Sequence, residues 1–276
     1  MLKVSYLGPE GSFSHLLAME RWKEGCEFLP YKTINEIFEA LMKKESDLAL
    51  VPIENSFGGL LYDTVDELVS RNFLRSRLRI KEEISKRIKL CILGRKGEKP
   101  QRIYSHPYPL IYMRNWLKKN LPEVEIIEVS STAEAARLSS ETPGALAIAS
   151  KEASKIYNLD VLYEDRSKKP KNITSFFVIG EGKNPRSGED KTAVVFSLKH
   201  APGTLYRALG AFAKRKINLT RIISRPHPER RKFGEYIFFV EFEGHEDDPS
   251  VKNALKNLSL STLYYKTLGS YQRIEL

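Results

Sequence analysis

The sequence predicts an α/β protein in two parts: a larger two-lobed unit of alternating strands and helices, then a smaller unit with the ferredoxin-like βαββαβ order. Three observations predict it. Short apolar runs alternate with amphipathic stretches from Lys3 to about Ile179, a polar glycine-containing segment interrupts them at Gly180 to Lys191, and the order of elements changes afterwards. At 276 residues the chain exceeds the usual size of one core, and an apolar fraction of 41% is enough to fill two.

Taken in order, "KVSYLG" reads as a strand, "SFSHLLAMERWK" as a helix, "EFLPYK" as a strand, "INEIFEALMKK" as a helix and "DLALVPIE" as a buried strand. The alternation continues through "RIKLCILG", "PLIYMRNWLKKN", "EIIEVSS", "TAEAARLSSE" and "GALAIAS". Between Leu78 and Leu93 strand signals follow one another without a helix, which marks a crossing between lobes. The first domain is therefore expected at 1–182, with one lobe at about 1–77 and 165–182 and the other at about 78–164. Past the linker, "TAVVFSLKH", "GTLYRALGAFAKRK", "INLTRIISRP", "GEYIFFVEFEG", "SVKNALKNL" and "LYYKTLGSYQRI" give strand, helix, two strands, helix and strand, a second domain at 191–276.

Charged residues make up 29% of the chain with a net charge of +10, and they are scattered rather than gathered into a basic block. That balance suits small anions. No helix-turn-helix, RRM or zinc signature accompanies it, so nucleic acid is not an expected partner. Cys26 and Cys91 stand far apart without a CxxC or a matching histidine cluster, which predicts neither a metal site nor a disulfide framework. No apolar run approaches the ~18 residues needed to span a bilayer, and "MLKVSYLGPEG" reads as a strand and glycine turn rather than a cleaved leader. A cytoplasmic protein outside the membrane is expected.

Several stretches place small polar groups where strands meet helices. In "LGPEGSFSH", Ser12 and Ser14 stand at the start of the first helix, where their hydroxyls and free backbone N–H groups suit a carboxylate or phosphate, or simply cap the helix. "LVPIENSFGG" ends a buried strand with Glu54, Asn55 and Ser56, where open α/β sheets bind ligands or where an ordinary Asn-Ser turn with a glycine pair leads into the next helix. "IYSHPYP" offers Ser105 and His106, the latter able to donate or accept near neutral pH; in "SSTAEAA", Ser131 or Thr132 reads as an N-cap. "NITSFFVIG" sets Asn172, Thr174 and Ser175 at the mouth of an apolar strand. In the second domain, Gly203 starts a helix in "PGTLYRALGAF", and "INLTRIISRP" carries Asn218 and ends in Ser224, Arg225 and Pro226.

Together these motifs stand in the order and spacing of one family. The chain resembles prephenate dehydratase of the two-domain type, in which a catalytic domain precedes an ACT regulatory domain; the match rests on "GPEGSFSH", "VPIENSFGG", "SHP", "STAEAA" and "NITSF", with "GTLY" and "ISRP" in the regulatory part. The resemblance implies two α/β lobes laid out like a type II periplasmic binding protein, with substrate between them. It implies conversion of prephenate to phenylpyruvate, water and carbon dioxide without a cofactor, regulation by L-phenylalanine, and a homodimer or homotetramer. Carried over by position, Thr174 is the catalytic hydroxyl and Glu54 a proton source; Ser12, Asn55, Ser56, Ser105, His106, Ser131, Thr132 and Ser175 face the substrate. Gly203, Leu205, Asn218, Ser224 and Arg225 line a phenylalanine site where two ACT domains pair. Two departures stand out. The family's Thr-Arg-Phe reads Thr174-Ser175-Phe176 here, which removes a cation; Lys168, Lys169 and Lys171 are candidates to replace it by proximity only and read equally as a solvated charge run, and the family's Glu-Ser-Arg-Pro begins with Ile223. A relative that decarboxylates prephenate without aromatising it, and a non-catalytic small-anion sensor, are the competing readings.

Overall fold

The computed structural model describes residues 1–23, 25–166, 172–228 and 235–276. In chain order the first stretch holds β1 (Leu2–Leu7), α1 (Phe13–Trp22), β2 (Cys26–Tyr31), α2 (Ile34–Met42), β3 (Leu48–Asn55), β4 (Gly59–Leu60), α3 (Tyr62–Leu68), α4 (Arg71–Arg75) and β5 (Leu78–Arg87). Local chemistry explains its helices. In α2, the Thr33 side chain caps the Glu36 N–H while Glu36 reaches back to the cap, and Ile34, Ile37, Phe38 and Leu41 form the apolar stripe that the helix buries.

The chain then crosses to a second sheet built from β6 (Cys91–Gly94), β7 (Arg102–Ser105), α5 (Pro107–Asn120), β8 (Glu125–Glu128), α6 (Thr132–Glu141), β9 (Ala145–Ala149), α7 (Lys151–Ile156) and β10 (Asp160–Glu164). Its strand order is β10-β6-β9-β7-β8. It returns as β11 (Ile173–Glu181), which runs antiparallel between β3 and β5. Two crossings, after β5 and before β11, give the two-lobed layout with a cleft between.

One boundary moves. The sequence assigns residues from 78 onward to the second lobe, but β5 belongs to the first sheet, where its Ile80 and Ile84 lie in the apolar cores of the first lobe. Backbone pairing decides this: β5 is hydrogen-bonded to β11 on one side and to a strand of the C-terminal domain on the other.

The last stretch is β12 (Asp190–Ser197), α8 (Thr204–Ala213), β13 (Leu219–Pro226), β14 (Tyr236–Glu243), α9 (Pro249–Leu260) and β15 (Tyr264–Glu275), in spatial order β13-β14-β12-β15 with both helices on one face. This is the split βαβ arrangement predicted. The end of β15, Gln272 to Glu275, pairs in parallel with Glu82 to Ser85 of β5 and merges both domains into a ten-stranded sheet. Gly269 permits the approach: a Cβ there would stand 2.3 Å from the Ile80 carbonyl oxygen.

Candidate functional site

Between the lobes lies a cavity of about 160 Å³ whose walls include Ser12, Pro52, Asn55, His106, Tyr108, Ser131, Thr132, Asn172, Thr174 and Phe176. Three helices begin at this cavity. Ser12 caps α1 by accepting from the His15 N–H (3.2 Å), His106 caps α5 by accepting at Nδ1 from the Tyr108 N–H (3.4 Å), and Ser131 caps α6 by accepting from the Glu134 N–H (3.0 Å). The serine caps were legible in the sequence, whereas His106 was read there as a hydrogen-bonding residue at a strand end and not as a cap. What the fold adds is their convergence: one positive helix end comes from the first lobe and two from the second.

Thr174 and Asn55 sit directly opposite one another on β11 and β3. The Asn55 amide donates to Thr174 Oγ1 (2.9 Å) and to Asn172 Oδ1 (2.9 Å), while its carbonyl oxygen accepts from the N–H groups of Phe57 and Gly58 (2.9 Å each). Asn55 is thus committed on both sides. It holds Thr174 and the turn after β3 rather than offering a free donor, and Thr174, which accepts from it, keeps its own proton to give elsewhere. Burial holds the pKa of His106 below its ordinary value, although Glu128 nearby pulls it up. The imidazole is therefore neutral at pH 7, and with Nδ1 accepting, its proton is carried on Nε2.

The lobes touch beside this cavity. The Phe57 ring meets Tyr112 edge-on at 4.7 Å, and Gly58 lies so close under Tyr108 that a Cβ would stand 2.4 Å from that ring. Gly58 thus serves lobe contact, whereas Gly59 has open space around it and a positive φ of 75°. On the far side, the Tyr157 hydroxyl donates to the Glu10 carbonyl (3.0 Å).

Other expected residues are placed elsewhere. Successive strand residues face opposite sides of a sheet, so the neighbours of Asn55 and Thr174 point away from the cavity. Glu54 accepts from Arg221 of β13 at 2.7 Å and cannot serve the cleft as a proton source. Ser175, in the family arginine's position, shares a hydrogen bond with Ser85 (3.1 Å) on that same back face. Ser56 accepts from the Ile173 N–H, outside the cavity wall; Ser105 is fully buried and donates to the His106 carbonyl. Lys168, Lys169 and Lys171 lie outside the described residues. Among the described residues, no Lys or Arg side chain lines the cavity, and no group of His, Cys, Asp and Glu is arranged to hold a metal ion. No described helix is long and apolar enough to cross a membrane.

In the C-terminal domain, Gly203 caps α8, and Leu205 lines a cavity of about 560 Å³ with His200, Pro202 and Phe238. The other expected effector residues are not at that cavity: Asn218 donates to Glu243 (3.1 Å), Ser224 is exposed on β13, and Arg225 grips Asp66 of α3 with Nε and Nη2. Asn172, noted in the sequence only for its place at the strand mouth, shares the Asn55 amide, and motif reading missed Tyr108, whose only signal was its place beside His106 in "SHPYP".

A family profile for prephenate dehydratase matches residues 4–184, and one for the ACT domain matches residues 192–260. The bifunctional chorismate mutase/prephenate dehydratase of Aquifex aeolicus is 39% identical over 274 residues, spanning 99% of this chain and 74% of that protein. Among solved structures, the prephenate dehydratase of Arthrobacter aurescens in complex with L-Phe is 31% identical with a TM-score of 0.88, over 99% of this chain and 90% of that one. A protein described as a novel type of quorum-quenching acylase is 26% identical with a TM-score of 0.84, over 98% of this chain and 97% of that one.

Proposed function

The chain belongs to the prephenate dehydratase family, and from that premise we propose that its interlobe cleft converts prephenate to phenylpyruvate, water and carbon dioxide under the control of phenylalanine at the ACT domain. The observation that carries this reading is the Thr174 hydroxyl, which accepts from Asn55 and keeps its proton to donate beside three helix N-termini. In the reaction the bond from the ring to its carboxylate breaks and carbon dioxide leaves. That electron pair enters the ring as the bond to the ring hydroxyl breaks, and the hydroxyl departs as water once it has received a proton. Aromatisation drives the step, so the site need only hold a dianion and assist the departing oxygen.

Thr174 is too weak an acid to lose its proton unaided at neutral pH, so it acts as hydrogen-bond donor or relay to that oxygen. The countercharge is supplied by the starts of α1, α5 and α6, each equivalent to roughly half a positive charge. That supply supports binding without an arginine beside Thr174. Ser131, Thr132 and the His106 Nε2–H add donors from the second lobe, and positioned donors of this kind contribute ~10²- to 10⁴-fold. The acylase activity of the one neighbour would call for a hydroxyl activated by a base, but His106 Nδ1 is used in capping α5.

We place the effector site where two ACT domains pair. Gly203 and Leu205 at the start of α8, Asn218 just before β13 and Ser224 on that strand would meet between chains, in a homodimer or homotetramer. A cytoplasmic setting goes with this biosynthetic role. Pure protein mixed with prephenate at neutral pH should form phenylpyruvate, followed by its absorbance in alkali; no product would overturn the reading, and a non-aromatic dihydro acid would assign a decarboxylase instead.

A further inference from the structure

We infer that β13 of the regulatory domain clamps the Glu54–Asp66 segment at both ends and through it sets the placement of Thr174 and the contact between the lobes. The inference rests on the cleft being the active site. Arg221 Nη2 donates to Glu54 at 2.7 Å; Arg225 grips both carboxylate oxygens of Asp66, and its guanidinium stacks 4.8 Å from the Tyr62 ring centre. Four residues apart on one strand, these arginines share a face and stand roughly 13 Å apart. Between the two grips the segment carries Asn55, which holds Thr174, then Phe57 and Gly58, which touch Tyr112 and Tyr108 of the second lobe. One short stretch therefore contacts the regulator at its ends, and the catalytic hydroxyl and opposite lobe in its middle.

The upstream grip is fixed on the regulatory side. Arg221 also donates to Glu241 (2.7 Å) and lies 3.5 Å from Glu83; Glu241 in turn accepts from Lys191 (2.8 Å), Thr220 (2.6 Å) and Tyr271 (2.9 Å). Glu241 is fully buried whereas Glu54 is exposed, so a shift of β13 carries Arg221 with it and draws Glu54 along. Arg221 and Arg225 are positioning residues. Neither reaches the cavity.

The test uses the full-length chain with Glu54→Gln, Asp66→Asn and the double variant, which neutralise two partly exposed carboxylates at similar volume. Phenylalanine binding, measured by calorimetry, is expected to persist, while its effect on kcat/KM for prephenate falls by about fivefold or more in the double variant, the scale of an ordinary coupling between sites. Amide exchange from Asn172 to Phe176 is expected to speed up even without effector. Full phenylalanine response together with unchanged exchange protection would overturn the clamp. So would loss of turnover in Glu54→Gln as severe as in Thr174→Ala, since that would make Glu54 a proton donor. If Thr174→Ala itself keeps full turnover, the cleft reading fails instead, which separates the two failures.

Discussion

The two faces of the sheet around Thr174 handle charge in opposite ways. On the cleft face no described Lys or Arg side chain lines the cavity, and the positive potential comes from helix ends. On the back face, toward which Glu54 and Ser175 turn, Arg221 of β13 and Lys191 of β12 are packed against Glu83 and Glu241 with little solvent. A buried side-chain ion needs a permanent partner, because an unpaired one costs several kcal/mol. Helix ends are fixed by the fold and keep their polarity whether the cleft is filled or empty. The comparison teaches that a site that must admit and release an anion is best served by main-chain dipoles, and an interface that must stay shut by paired side chains.

Several changes would break or sharpen this contrast. The largest effect is expected from Thr174→Ala, which should lower kcat by ~10²- to 10⁴-fold with the far-ultraviolet circular dichroism unchanged, while Thr174→Ser keeps much of the rate; an unaltered kcat in the alanine variant removes the role assigned to the hydroxyl. Glu241→Gln on the opposite face should instead cost stability, about 3–5 kcal/mol in denaturant unfolding, by leaving two buried cations short of a partner. Burial alone would raise the pKa of Glu241, but Arg221 and Lys191 hold it below the ordinary value. Its stabilising contribution is therefore complete above the ordinary carboxylate range and is lost as pH falls through that range toward the folded value. A melting temperature indifferent to acid in the wild type would contradict this.

Gly58→Ala should raise KM by about tenfold or more, since a Cβ pressed against Tyr108 holds the lobes off their contact; an unchanged KM would show that contact to be dispensable. His106 should titrate in NMR below its ordinary value of about 6.5, and a midpoint above about pH 7 would mean that the imidazole is mostly charged when substrate arrives. The smallest effect belongs to Ser175→Ala, which should leave KM within about twofold because the side chain faces Ser85. A large rise would return Ser175 to the substrate.

How legible this was follows from the range of the physics. Capping is written within a few residues, and so Ser12, His106 and Ser131 could be read as polar groups at helix starts, and the element order of both domains with them. Neighbouring in sequence was mistaken for neighbouring in space at Glu54 and Ser175. The period of two in a strand already implies that Glu54 cannot share a face with Asn55, nor Ser175 with Thr174, and the back-face ion pairs only complete that argument. The membership of β5 and the roles of Arg221 and Arg225 were not legible. They depend on pairings between residues far apart in the chain, and a lone arginine in an alternating strand looks the same whether it meets water or a distant carboxylate.

The pairing of β15 with β5 has a consequence for anyone dividing this protein. A fragment ending near residue 182 would lose β15 and present the edge of β5 that it covers, Glu82 to Ser85, to solvent. Bare edges recruit other chains, so the isolated catalytic half should self-associate, and the full-length protein should melt in one transition rather than shed its regulator first.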